Sequence, residues 1–112
     1  MEPSDIVQAA IDAYHAYDLD RCLSFYAPDV VVKRADGTIL MDGVEAVRAR
    51  YAKSMADHPN LHYEIPNRIA LGDHVVDEER VTGYSPGGPD VVRAVLVYRF
   101  EGDLIREILI LS

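Results

Sequence analysis

VVRAVLVYRFEGDLIREILIL, residues 91–111, holds two β-prone runs on either side of Gly102-Asp103, a two-residue turn of the kind that closes a tight hairpin. The runs are apolar on both parities: Val95 and Val97 fall on one side, Leu96 and Tyr98 on the other. An antiparallel sheet with a single covered face alternates apolar and polar residues. Both faces of this hairpin are therefore expected to be covered. Simple alternation also places one carboxylate, Glu107, on the same face as Ile105 and Leu109. A lone ionisable group on an apolar face needs a partner or a function. Glu107 is the first candidate.

Upstream of the hairpin, Ser4 suits a helix N-cap and Asp5 its first turn. Ile6, Val7, Ala10, Ile11, Tyr14 and Tyr17 recur at helical spacing, which predicts a helix over about residues 5–17. Asp18 caps a short second helix with Leu19, Cys22, Leu23 and Tyr26 inward, ended by Pro28. Val30 to Lys33 and Thr38 to Met41 read as strands around the turn Ala35-Asp36-Gly37. Asp42-Gly43 opens a third helix with Val44, Val47, Tyr51 and Met55 on one face, and His58-Pro59-Asn60 stops it. Leu61 to Leu71 is a strand in which Pro66 marks an edge or a bulge, and His74 to Tyr84 is the next. Ser85 to Pro89 is a Gly/Pro-rich loop. Helices followed by antiparallel strands predict an α+β fold, with three N-terminal helices packed on one face of a curved, mostly antiparallel sheet. Three short helices cover only one face of that sheet. The other is expected to meet a second copy, in a homodimer.

The chain has 112 residues, enough for a single domain over 1–112 with its own core. A formal charge of −8 argues against nucleic acid and against anionic membranes as partners. One cysteine, Cys22, forms no intrachain disulfide and fits a reducing compartment. The start, MEPSDIV, lacks the basic flank and apolar run of a signal peptide. A cytoplasmic location is expected.

Several motifs are set aside. Gly83-Tyr84-Ser85-Pro86-Gly87 matches G-x-S-x-G, but a nucleophile elbow needs a helix after it and a later histidine, and no histidine follows His74. His58 and His62 are four apart, yet Pro59 breaks the helical geometry that two metal ligands need. No glycine loop cradles a phosphate, so neither metal nor cofactor is expected.

The polar strand residues carry more. Alternation puts Val76, Glu78, Arg80, Thr82 and Tyr84 on one face, and Val30, Val32 and Arg34 on another strand's face. With Glu107, this gives Arg34, Glu78, Arg80 and Glu107 as an expected inward polar cluster. Tyr14, Tyr17, Tyr51 and Met55 are expected to line a ligand cavity, together with Arg34 and the Leu96–Tyr98 side of the hairpin.

Asp18-Leu19-Asp20 before Phe25-Tyr26-Ala27-Pro28-Asp29-Val30, Asp42 to Val47, Gly72 to Val76 and Tyr98 to Ile105 together resemble the nuclear transport factor 2-like superfamily, in its SnoaL-like branch. The resemblance covers nearly the whole chain. It implies a cone-shaped α+β barrel with an apolar pocket, frequent homodimers, and functions from polyketide cyclases, isomerases and epoxide hydrolases to non-catalytic binding modules. Steroid-isomerase chemistry is not implied, because its general base and oxyanion-hole positions fall on Arg34, Ala10 and Leu96. Glu79-Arg80-Val81-Thr82 is similar to a Glu-Arg-Val-Asp strand of limonene-type epoxide hydrolases, and Arg106-Glu107 to their Arg-Asp pair. The resemblance thus gives Arg80 and Glu107 catalytic roles, with Glu78 substituting for the missing aspartate. The expected function is a cofactor-independent acid–base enzyme on a small apolar molecule, or else a binding or dimerisation module.

Overall fold

The computed structural model describes residues 1–84 and 91–112. The loop Ser85–Pro89, with the serine of the rejected hydrolase match, lies outside them. Helix α1 spans Pro3–His15, α2 Leu19–Leu23 and α3 Val44–Asp57. The strands are β1 Tyr26–Arg34, β2 Ile39–Asp42, β3 His62–Leu71, β4 His74–Thr82, β5 Val92–Glu101 and β6 Leu104–Leu111. They form one six-stranded sheet in the order β2-β1-β6-β5-β4-β3. All pairings are antiparallel except β1 with β6, which is parallel. The sheet is therefore mixed and open, with β2 and β3 as its edges. The resemblance implies a barrel, and this sheet is not closed; the β1–β2 hairpin precedes the third helix, in the order in which the sequence places them.

Local chemistry sets most boundaries. Helix α1 starts at Pro3, where a missing N–H costs nothing, and Asp5 accepts the Glu2 N–H at 3.1 Å. That moves the expected cap from Ser4 to Glu2. Asp18 caps α2, accepting the Arg21 N–H at 3.1 Å. Helix α2 ends at Leu23, before Pro28, which instead sits in β1. There the β1–β6 register slips between Tyr26 and Val31, a place where the lost proline N–H is tolerated. Pro66 acts in the same way on edge strand β3, where the register to β4 shifts between Glu64 and Asn67. Gly102, at φ +61, closes the final hairpin as a left-handed turn residue.

The helices cover one face. Ile6, Val7, Ala10, Ala13 and Tyr14 of α1, Cys22 and Leu23 of α2, and Val47 of α3 pack on Val30, Val32, Leu96, Tyr98, Phe100, Ile105 and Ile108 of the sheet. Each Val, Leu, Ile or Phe among them contributes roughly 1.5–3 kcal/mol by leaving water. The opposite face carries Val76, Val95, Val97 and Leu109, half-buried by their strand neighbours, and exposed Ile69 and Leu71. No helix of the described residues is long and apolar enough to cross a membrane.

Candidate functional site

Two departures from simple alternation decide which side chains reach the covered face. In the closing hairpin Arg99 pairs with Glu107 but Phe100 pairs with Ile105. One residue of β5 thus opposes two steps of β6, a β-bulge at Arg106 that inverts the alternation. Ile105, Ile108 and Ile110 then face the helices, while Glu107 and Leu109 face outward. Glu107 lies between Lys33 at 3.5 Å and Arg99 at 3.7 Å. The expected inward position of Glu107 is corrected: it belongs to a half-exposed ion-pair cluster on the outer face.

In β4 the alternation is regular, but the inward row is Val75, Asp77, Glu79 and Val81. Glu78 and Arg80 share a face as expected, and it is the outer one. Glu78 accepts a hydrogen bond from Asn67 Nδ2 at 2.7 Å, and Arg80 stands 3.9 Å from Glu64. Arg34 is exposed at the β1–β2 turn, beyond the buried Val30 and Val32. The four charged candidates do not form an inward cluster.

The inward face instead encloses a cavity of about 450 Å³ between helices and sheet. Of the seven tyrosines, six line it: Tyr14 from α1, Tyr26 from β1, Tyr51 from α3, Tyr63 from β3, Tyr84 after β4 and Tyr98 from β5. Leu96 also lines it, whereas Met55 packs against the core without reaching it, and Tyr17, past the end of α1, is exposed outside it. Tyr84 is brought in by a break in alternation. The chain turns at Gly83, whose φ is +96 and whose missing Cβ would sit 2.1 Å from the Asn60 carbonyl oxygen. The rings pack edge to face, Tyr14 against Tyr51 and Tyr63 at centroid distances of 5.4 and 5.2 Å, the geometry that aromatic quadrupoles favour. Tyr26 and Tyr51 share a hydroxyl–hydroxyl hydrogen bond of 3.0 Å. The exposed Arg50, Lys53 and Asp57 of α3 mark the mouth.

One charged group enters this phenolic chamber from the sheet. Glu79 is 8% exposed and lines the cavity. Among the described residues, no hydrogen bond or ion pair reaches its carboxyl group. Burial, with a smaller contribution from the negative charge of Asp77, pushes it up to about 7. Glu79 therefore exchanges its proton near neutrality. Burial also raises every cavity phenol above its ordinary value, so these rings remain neutral hydrogen-bonding groups. The Cys22 thiol, raised by burial to about 12, is no nucleophile.

Asp77, next in the inward row, is fully buried and held by Arg68 through Nε at 2.6 Å and Nη2 at 2.9 Å. The Tyr14 hydroxyl is buried and, among the described residues, closes no hydrogen bond, although Tyr63 and Ser54 stand beside it. An unsatisfied buried hydroxyl costs about 1–3 kcal/mol. Tyr14→Phe is therefore expected to leave stability unchanged or raise it by about 1 kcal/mol in urea unfolding. A loss of that size would reveal a partner. Among the described residues, no group of three or more His, Cys, Asp or Glu side chains is placed to hold a metal.

Glu79, Tyr26, Tyr63 and Tyr84 escape the sequence reading. The run Asp77-Glu78-Glu79-Arg80 carries charge on both parities, so alternation does not choose between its faces. The nearest available signal is Pro66, whose bulge lies opposite Glu79, because bulges often flank functional sites.

Comparison with known proteins agrees with this architecture. A family model for the SnoaL-like domain matches residues 7–108. No curated protein matches the chain. Among solved structures, an uncharacterized cystatin-fold protein from Novosphingobium aromaticivorans is 29% identical, with a TM-score of 0.90 over 100% of this chain and 99% of that one. A candidate polyketide cyclase from Sinorhizobium meliloti is 25% identical, with a TM-score of 0.78 over 95% and 93% of the two chains. A protein of ketosteroid isomerase-like fold from Catenulispora acidiphila, in complex with trimethylamine, is 24% identical, with a TM-score of 0.77 over 100% and 87%. With a family match that leaves only the two ends of the chain outside it, this protein belongs to the SnoaL-like domain family.

Proposed function

We propose that the protein is an acid–base enzyme of isomerase, cyclase or lyase type, acting on a small apolar molecule that carries a carbonyl-activated C–H bond. The observation that carries this reading is the Glu79 carboxyl group, unpaired among the described residues, opening on an apolar, phenol-lined cavity and poised near neutral pH. A cavity of about 450 Å³ lies within the range of small-molecule sites. The Glu79 carboxylate removes the proton next to the carbonyl, and the electron pair left on carbon moves onto the carbonyl oxygen. The Tyr14 hydroxyl, free to donate, stabilises that oxyanion. Protonated Glu79 then returns the proton to another carbon or to a leaving group. Proton transfer of this kind needs no cofactor. The likeness to the candidate cyclase from Sinorhizobium meliloti supports the reaction class.

The test is a thermal-shift screen of terpenoid, steroid and polyketide-like ketones, followed by deuterium exchange of each bound compound in D2O. Glu79→Gln is expected to lower exchange at least ~100-fold while binding persists. Exchange that survives the substitution sinks the role of Glu79, and binding without exchange in the parent protein leaves a non-catalytic binding module.

The same reading includes a homodimer through the outer sheet face. Its support is the row Val76, Val95, Val97 and Leu109 on a face that carries no helix. Light scattering at micromolar concentration is expected to give twice the mass of the 112-residue chain; a monomer overturns the assignment.

A further inference from the structure

We propose that Asp77 is a positioning residue that grips Arg68 with both carboxylate oxygens, so that this cation is kept off Glu79 and the Glu79 carboxyl stays free. The inference rests on the reading of Glu79 as the proton carrier. Arg68 and Asp77 face each other directly across the β3–β4 ladder, and Glu79 is the next inward residue of β4. Diagonal neighbours in such a ladder lie roughly 7–8 Å apart, within reach of a long side chain. Arg68 is the one cation on the inner face of β3, β4 and β5 among the described residues. Left without that grip, its guanidinium has two other anions near it, Asp12 on α1 beside Gln8 and Glu79 on β4, and of these Glu79 is the one on the inner face of the sheet.

The grip is specific in geometry. Nε and Nη2 take the two oxygens of Asp77, and Nη1 donates to Gln8 Oε1 of α1 at 3.0 Å. Each of the three nitrogens of the fork is thus engaged. Stability alone does not account for such a pair, because buried ion pairs are often matched by apolar residues of similar volume. Its effect on Glu79 does. A guanidinium falling on Glu79 favours the carboxylate and lowers its proton affinity by ~1–3 pH units, which makes it a weaker base at neutral pH. The other groups facing Glu79 do not compete for it. The cavity phenols and the Cys22 thiol stay protonated through this range, β6 presents Ile108 and Ile110, and Arg50, Lys53 and Asp57 of α3 stand around the mouth with His58, which follows that helix.

The test follows the Glu79 side-chain carboxyl carbon by NMR as pH is varied, with the resonance assigned from Glu79→Gln. This readout does not depend on turnover, so Glu79 failing as a catalyst is separable from the failure of the grip. Asp77→Asn is expected to lower the Glu79 midpoint by at least one pH unit, a tenfold fall in proton affinity. The double variant Asp77→Asn/Arg68→Met removes the cation as well, and its midpoint is expected within half a unit of the parent. An unchanged midpoint in Asp77→Asn overturns the proposal. So does a fall in the double variant, which assigns the effect to the lost Asp77 charge alone. Should Asp77→Asn not fold, Asp77→Ser is measured in its place against the same double variant, with the same fall expected and an unchanged midpoint overturning the proposal.

Discussion

Glu79→Gln is expected to stabilise the protein at pH 8 by up to about 3 kcal/mol, in the same variant that loses proton transfer. The Glu79 proton is held in the fold up to about pH 7, against an ordinary value of 4.5. A carboxyl group raised in this way contributes stability that is complete below pH 4.5 and lost as pH rises through 7, because the folded state binds the proton more tightly than the unfolded chain. Above pH 7 the fold carries a buried carboxylate, and the difference of about 2.5 units corresponds to about 3 kcal/mol. Glutamine keeps the shape and removes the charge. The gain is therefore expected at pH 8, with little change at pH 4, and amounts to a rise in Tm on the order of 10 °C. Calorimetry at the two pH values checks it; equal Tm values for parent and variant at pH 8 mean that a cation or water compensates Glu79. Stability given up at a working residue is a common trade between activity and folding.

Arg68→Met is expected to destabilise by about 3–5 kcal/mol at pH 7, since it strands a fully buried carboxylate at Asp77. The same change also removes the donor to Gln8, and with it a tie between α1 and the β3–β4 edge of the sheet. Such a loss is a large share of the roughly 5–15 kcal/mol that holds a domain together. Urea unfolding measures it directly. With Asp77→Asn added, most of the loss is expected to be recovered, because no buried charge is left alone. A loss below about 1 kcal/mol for Arg68→Met alone means that water reaches Asp77 and the pair behaves as a surface one.

The parts of the fold that were legible in the sequence are those fixed by chemistry within a few residues. Gly102-Asp103 closes the last hairpin, Asp18 caps α2, and Pro66 sits on an edge strand at a register shift. Tyr14 and Tyr51 reach the cavity because their helical spacing places them on the apolar faces of α1 and α3. The candidate carboxylate was not legible. Glu107 leaves the inward face because a single extra residue at Arg106 inverts the alternation beyond it, and nothing in Leu104-Ile105-Arg106-Glu107 forces a bulge. Glu79 gains that face because α1 and α3 cover one side of the sheet, a choice that the Asp77–Arg80 run does not encode.

By itself, then, the sequence determined the turns, the Asp18 cap, the periodicities and the order of elements, since each depends on neighbours in the chain. Only the tertiary structure decided which parity of each strand turns inward, and so which acidic residue meets six tyrosines drawn from different parts of the chain. The physical reason is that alternation has a period of two and no sign of its own. A one-residue bulge, or the side on which a helix packs, exchanges inside for outside along the whole strand.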